Sequence, residues 1–205
     1  MKKGLLFLLL AFIVTAIYWF GFRNNKSDAP DVPKQEAIAL QKHSDSFNLA
    51  VNHFVDAYIL MKDAFVEANM EDAKRHAKAF VLALDSIPMS ELSGDSAAIG
   101  NSVELITKDI KSNAQNLILG TDITQMRMNF SSISDLIYPG FVKLINYEGP
   151  QLYIQNCPMA FNDEVSANWL SKESEVVNPY LGKHHPTYKA GMLHCGSVLD
   201  SLNTQ

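Results

Sequence analysis

The chain has 205 residues, a formal net charge of −5 and 47% hydrophobic residues, a composition typical of a folded globular protein rather than a disordered one. This length leaves room for one domain that buries its own core. Because the chain is acidic, it is a poor match for a phosphate backbone, and we expect no nucleic-acid partner.

The first predicted element is a membrane anchor. Residues 4–22 carry no charged side chain, and these nineteen residues are about the length of a helix that spans a bilayer core. Tyr18 and Trp19 stand near the far end of the run, where aromatic rings favour the membrane interface. The alternative is a cleaved signal peptide, but the run is longer than a usual signal core and no small-residue cleavage site follows it. We therefore predict one uncleaved transmembrane helix within residues 1–23, with the remaining mass outside the cytoplasm.

The rest of the chain divides into a spacer and one domain. Residues 24–42 are predicted to be a linker, because the first part of this segment is polar and contains two prolines. Residues 43–205 are predicted to fold as a helical bundle, 43–148, followed by a cysteine-bearing cap, 149–205.

Four stretches between residues 46 and 144 show helical periodicity. Asn69 is the predicted N-cap of the second helix, Gly120 follows the third, and Thr121 is the predicted N-cap of the fourth. Pro139 lies inside the fourth stretch and should kink or split it. The apolar stripes are Phe47, Val51, Phe54, Tyr58, Met61 and Phe65; Ala73, Ala77, Phe80, Leu84 and Ile87; Ile99, Val103, Ile106, Ile110, Ala114 and Leu117; and Ile123, Met126, Phe130, Ile133, Ile137, Phe141 and Leu144.

Each stripe needs partners to cover it, and short connections favour antiparallel neighbours. We therefore predict an all-α fold: an antiparallel four-helix bundle with an irregular, short-strand cap at its C-terminal end, preceded by the transmembrane helix. The sequence contains no nucleophile elbow, phosphate loop or paired-carboxylate motif, so we expect that the protein is not an enzyme.

The C-terminal segment has a different chemistry. Residues 151–155 alternate as a short strand that leads into a turn, and helical periodicity ends there. Soft donor atoms are concentrated beyond this point. Thiolate, thioether and imidazole ligands together suit Cu(I), with Zn(II) as a competitor. The candidate metal ligands are Cys157, Met159, Met192, His194 and Cys195.

A disulfide between Cys157 and Cys195 is the alternative. Two cysteines in an oxidising compartment usually pair. This bridge would close a loop of about forty residues and stabilise the fold by roughly 3–4 kcal/mol. Both alternatives require that the two cysteines lie next to each other in space.

Several spaced motifs in this segment are similar to those of a known family. They are Cys157-Pro158-Met159-Ala160, Trp169-Leu170-Ser171, Asn178-Pro179-Tyr180 with Gly182, and Met192-Leu193 with Cys195-Gly196. Together they resemble the domain of unknown function 3347, over residues from about Phe47 to Leu199. This domain occurs in small exported proteins of Gram-negative bacteria and is fused to periplasmic adaptors of Cu(I)/Ag(I) efflux pumps. Residues 184–191 make a longer link than many members have.

The resemblance implies an association with soft-metal handling. We therefore expect a single-pass protein of the inner (cytoplasmic) membrane whose periplasmic domain binds Cu(I) or Ag(I) in metal efflux or homeostasis. Trp169, Pro179 and Tyr180 would pack the two cysteine-bearing turns together. The alternative function is a non-catalytic interaction module, closed by the Cys157–Cys195 disulfide, that docks on an envelope partner such as an efflux adaptor.

Overall fold

The computed structural model describes residues 42–94 and 97–202, all within one compact unit, Ala37–Gln205. The predicted membrane anchor, residues 1–23, and the predicted linker as far as residue 41 lie outside the described residues. In the described ranges, no helix is both long enough and apolar enough to cross a membrane.

Four helices form the first part of the domain. They are α1 (Asp45–Val66), α2 (Met70–Asp85), α3 (Ala97–Leu119) and α4 (Ile123–Asp135), and each packs against the next along the chain. A 3-10 turn, Met89–Gly94, lies between α2 and α3 and packs on α3. The four predicted helical stretches are therefore helices in the structure.

Three of the helices begin with a side-chain cap. Ser44, Asn69 and Asp122 each accept the backbone N–H three residues further on, at 3.1, 3.1 and 2.9 Å. These contacts satisfy backbone donors that have no partner within the helix. Asn69 is the cap that the sequence predicts, but the prediction of Thr121 is wrong. Its neighbour Asp122 caps α4, where a carboxylate also favours the positive end of the helix dipole.

Pro139 splits the fourth helical stretch, as predicted. Regular α-helix ends at Asp135, a wide π-type turn covers Leu136–Phe141, and one short helical turn, Val142–Leu144, follows. Tyr138, the residue before the proline, is extended, with φ −121° and ψ 129°. This conformation agrees with the steric clash that keeps a residue before proline out of the helical region.

The all-α prediction is wrong, because the C-terminal part contains a three-stranded antiparallel sheet. Its strands are β1 (Leu152–Phe161), β2 (Val165–Ser171) and β3 (Ser197–Leu202), in the order β2-β1-β3. The predicted short strand at 151–155 is thus the first half of a ten-residue strand. The fold is thus four packed helices joined to a small antiparallel sheet, and the predicted irregular cap is wrong.

Burial explains why the sequence pattern does not predict the sheet. Beyond the predicted stretch 151–155, neighbouring apolar residues of β1 are buried on both faces, for example Ala160 and Phe161, so the second half of the strand lacks the alternation of a half-exposed strand. The helices cover one face, where α4 packs on β2. The backbone of residues 173–175 lies against the Gln155 side chain of β1, whose Nε2 donates to the carbonyls of Glu173 and Glu175. Most of β3 is exposed and carries no strong strand pattern.

The core is built from the predicted helix stripes. Most stripe residues are buried, whereas Ile106, Ile123 and Leu144 are partly buried. Stacked and tilted aromatic rings occupy the centre, and Phe130 contacts both Phe65 and Tyr58, with ring centroids 5.1 Å apart in each pair. The helical register read from the sequence is therefore confirmed.

Candidate functional site

The sheet brings the two cysteines together. Cys157 lies in β1 and is fully buried, and Cys195 ends the turn that leads into β3. Asn156 of β1 pairs with Ser197 of β3, and this pairing brings Cys157, which follows Asn156, close to Cys195, which lies two residues before Ser197. The two Sγ atoms are 3.3 Å apart, and both cysteines are free thiols in the structure. The prediction that they are neighbours in space is confirmed.

A short turn supports Cys195 from within its own segment. The Cys195 N–H donates to the Met192 carbonyl at 3.0 Å, which closes the turn 192–195. Gly196 follows with φ +138°, a conformation that side-chain-bearing residues rarely adopt. A Cβ atom at this position would collide with the Asn156 carbonyl oxygen and crowd Trp169. The chain passes this close to β1 because residue 196 is glycine.

Asn178 connects the cysteine turn to the rest of the segment. Its Nδ2 donates to the Cys195 carbonyl at 2.8 Å, and its backbone N–H donates to the Leu193 carbonyl at 2.8 Å. Its Oδ1 accepts the backbone N–H groups of Tyr180 and Leu181, at 2.8 and 3.0 Å. The side chain is fully buried, so these partners replace the water that it loses.

The predicted packing residues are buried beside the cysteines. Trp169 and Tyr180 are in edge contact, with ring centroids 5.8 Å apart, and the Tyr180 hydroxyl donates to the Asn168 carbonyl. Pro179 lies buried between Asn178 and Tyr180. Burial, above all, raises the pKa of Tyr180 well above its usual value, so this hydroxyl stays protonated.

The remaining predicted ligands are placed less favourably. Met159 and Met192 are partly buried against the core that also contains Cys157. The His194 ring has a different partner from the two sulfurs: its Nδ1 is 2.7 Å from the Val176 carbonyl oxygen, and 60% of its side chain is exposed. Within 42–94 and 97–202, no three His, Cys, Asp or Glu side chains lie close enough together to hold a metal ion as a group.

The environment of Cys195 favours the protonated thiol. Burial and the hydrogen bond with Cys157 raise the pKa of Cys195 to about 11. A thiol with such a pKa is a weak nucleophile at neutral pH, because only the thiolate attacks. Any metal that binds the pair must displace protons from it. The arrangement can therefore hold a soft cation or close as a disulfide, and it is not an activated cysteine nucleophile.

Two polar residues of the site were not predicted. Asn178 supports the cysteine turn, and buried Gln155 donates through Nε2 to the carbonyls of Glu173 and Glu175, both at 3.0 Å. The Asn-Pro dipeptide was a usable signal, since asparagine before proline favours turn initiation. Nothing local marks Gln155, because a glutamine within a strand usually faces water.

The comparisons with known proteins match a family model to the part of the chain that forms the helices. The family model described as "Protein of unknown function (DUF3347)" matches residues 54–146, which run from α1 to the helical turn after α4. No curated protein and no solved structure matched the chain. The C-terminal motifs, from Cys157 to Gly196, lie outside the matched range. The predicted resemblance to the domain of unknown function 3347 is confirmed over residues 54–146.

Proposed function

We propose that this protein binds a soft metal ion, Cu(I) or Ag(I), at the Cys157–Cys195 thiol pair, as part of metal efflux or homeostasis in the periplasm. The observation that carries the proposal is the 3.3 Å contact between the two Sγ atoms, one on a strand and one on a hydrogen-bonded turn. Two thiols held this closely need only small side-chain rotations to share one ion.

The donor set fits Cu(I) better than Zn(II). Structural zinc sites take four ligands, almost always Cys or His with occasional carboxylates. The described residues offer the two thiols without a third Cys, His, Asp or Glu grouped with them. Thiolate and thioether ligands select Cu(I), so Met159 and Met192 are the natural additional ligands. Zn(II) is the alternative metal, and a metal titration compares its binding with that of Cu(I).

The structure suggests a different role for each predicted ligand. Cys157 and Cys195 would supply thiolates, which carry most of the binding. Met159 follows Cys157 by two residues in β1, and Met192 begins the turn that Cys195 closes. His194 would join only by leaving the Val176 carbonyl, so we assign it no more than an accessory role.

The proposed location follows from the uncharged run at 4–22, which would hold the domain at the inner membrane. An envelope partner, such as an efflux adaptor, would then receive or supply the metal within the periplasm. The membrane itself is the other proposed partner, through the N-terminal helix.

Anaerobic metal titration of the full chain in detergent tests the proposal. Competition with a chromophoric Cu(I) chelator should show one Cu(I) per chain, with Zn(II) bound more weakly. Cys195→Ser should abolish the competition, and Met192→Leu should weaken it. Met128→Leu is the matched control, because Met128 lies on α4 and is 38% exposed.

The opposite result would replace the proposal. If the reduced chain, with two titratable thiols, does not compete for Cu(I), metal binding is excluded. The disulfide-closed interaction module would then be the better description, and protein isolated from the periplasm should contain no free thiol.

A further inference from the structure

Asn178 makes two hydrogen bonds to the turn that carries Cys195. Asn178 is fully buried, and its carboxamide joins two turns that are distant in sequence. Its oxygen shapes the turn Asn178–Leu181, while its Nδ2 reaches the Cys195 carbonyl, 17 residues away. A buried asparagine in this position restricts the geometry of both turns, because moving either turn away would leave a buried polar group with neither a partner nor water.

The turn that carries Cys195 is also attached at two other points: the His194 Nδ1 lies 2.7 Å from the Val176 carbonyl oxygen, and Ser197, just beyond the turn, pairs with Asn156 of β1. Its internal hydrogen bond from the Cys195 N–H to Met192 shapes the turn but does not place it against β1. The strand that follows, β3, is largely exposed and lies at the edge of the sheet, where β1 is its one neighbouring strand. The two bonds from Asn178, to the carbonyls of Cys195 and Leu193, hold the backbone of this turn directly, and together with the β1–β3 pairing they fix its position over the sheet.

We infer that Asn178 is the positioning residue of a redox-gated thiol pair: it holds Cys195 against Cys157, so that the pair interconverts between a metal-binding dithiol and a closed disulfide. The inference rests on the proposed function, because the gate acts on the same two sulfurs. Asn178 touches neither sulfur in this arrangement and acts through the backbone of Cys195.

The closing step is a thiol–disulfide exchange with a disulfide-bearing oxidant. The Cys157 or Cys195 sulfur, as thiolate, attacks the oxidant's disulfide and expels one thiol. The second sulfur then attacks this mixed disulfide, forms the Cys157–Cys195 bond and expels the second thiol. The pair loses two electrons and two protons, which leave on the two product thiols. The closed form has no thiolate to offer, so it cannot hold a soft cation.

A redox equilibrium of the metal-free full chain tests the positioning role. The chain is equilibrated in glutathione buffers of stepped ratio, and the disulfide fraction is read by mass after alkylation. Asn178→Ala should lower the equilibrium constant for closure about tenfold, because one of its three lost side-chain hydrogen bonds is the bond of ordinary strength that reaches the Cys195 carbonyl. Asn178→Asp retains an oxygen for the Tyr180 and Leu181 N–H groups and loses the Nδ2 donor, so it should shift the equilibrium in the same direction.

Tyr58→Phe is the control for general destabilisation. It removes buried hydrogen bonds to Ser134 and Leu170, away from the cysteine turn. It should lower the free energy of unfolding and leave the closure equilibrium unchanged. If both Asn178 variants close like the native chain, or if Tyr58→Phe shifts closure as much as they do, the positioning role is refuted.

A metal titration of the oxidised chain tests the gate itself. Ag(I) should bind the reduced chain and not the oxidised one; equal binding to both forms would overturn the gate. The proposed function fails separately, if the reduced native chain binds neither Cu(I) nor Ag(I). In that case a closure shift in the Asn178 variants would leave Asn178 as the positioning residue of a disulfide alone.

Discussion

The Tyr58 hydroxyl oxygen accepts the Leu170 backbone N–H at 3.1 Å, and this bond joins the first helix to the sheet. The same oxygen lies 2.7 Å from the Ser134 hydroxyl on α4. All three groups are buried, and burial strongly raises the pKa of Tyr58. One phenol thus fixes two helices and a strand relative to each other, and the strand is the one opposite Cys157.

This junction should be costly to remove. In Tyr58→Phe, the Leu170 N–H loses its partner and stays buried, so the free energy of unfolding should fall by about 1–3 kcal/mol. Ser134→Ala should cost less, because Tyr58 then retains its bond with Leu170. Urea unfolding of both variants measures the difference. Equal losses in the two variants would mean that the Leu170 bond contributes nothing.

The aromatic core should respond strongly to truncation. Phe130 is fully buried, in ring contact with Tyr58 and Phe65 of α1 and with Tyr180. Phe130→Ala should therefore destabilise the domain by about 3–5 kcal/mol, through lost burial and the cavity that remains. Leu82→Ala is the control, because Leu82 is 71% exposed and should change stability by less than about 0.5 kcal/mol. A Phe130 variant with native stability would disprove this packing.

The glycine beside Cys195 should not tolerate a side chain. Gly196→Ala forces alanine to φ +138° and against the Asn156 carbonyl, which should cost at least about 2 kcal/mol. Gly191→Ala is the matched substitution, since nothing lies within 4 Å of its Cβ position, and we expect it to be nearly neutral. Thermal unfolding compares the two. Similar melting temperatures would show that residue 196 lies further from the Asn156 carbonyl than in this structure.

The raised pKa of Cys195 predicts a loss of stability in alkaline solution. Because the folded chain holds this proton to about pH 11, and the unfolded thiol releases it near pH 9.0, the unfolded state binds fewer protons between these values. The free energy of unfolding of the reduced chain should therefore fall as pH rises from 9 to 11. Cys195→Ser should lack this part of the decrease, whereas the tyrosines titrate alike in both proteins. A constant difference between the two chains across this range would contradict the raised pKa.

The predicted anchor has a direct test in fractionation. The full chain should sediment with membranes and be released only by detergent, because residues 4–22 lack charges over the length of a bilayer core. A chain that begins at residue 24, exported with a cleavable signal, should appear in the periplasmic extract. N-terminal sequencing of the mature protein that starts beyond residue 22 would show a cleaved signal instead.

The helices were predictable from local patterns. Stripes such as Phe47, Val51 and Phe54 predict which side of α1 is buried, and the structure confirms it. Asn69 was recognisable as a cap because its short side chain precedes acidic residues at a helix start. These features involve residues within one or two turns of each other, so the sequence displays them directly.

The sequence by itself determined the helical register, the break at Pro139 and the requirement that Cys157 and Cys195 meet. Only the tertiary structure decided that the segment after residue 150 is a sheet, since strand pairing joins residues far apart in the chain and a strand buried on both faces loses its alternation. It also decided which predicted groups surround the thiols. His194 faces Val176 and water, while Asn178, which the sequence placed in a motif without assigning it a role at the site, bonds the Cys195 carbonyl. Such placements depend on where each backbone carbonyl lies after folding, and no local spacing encodes that position.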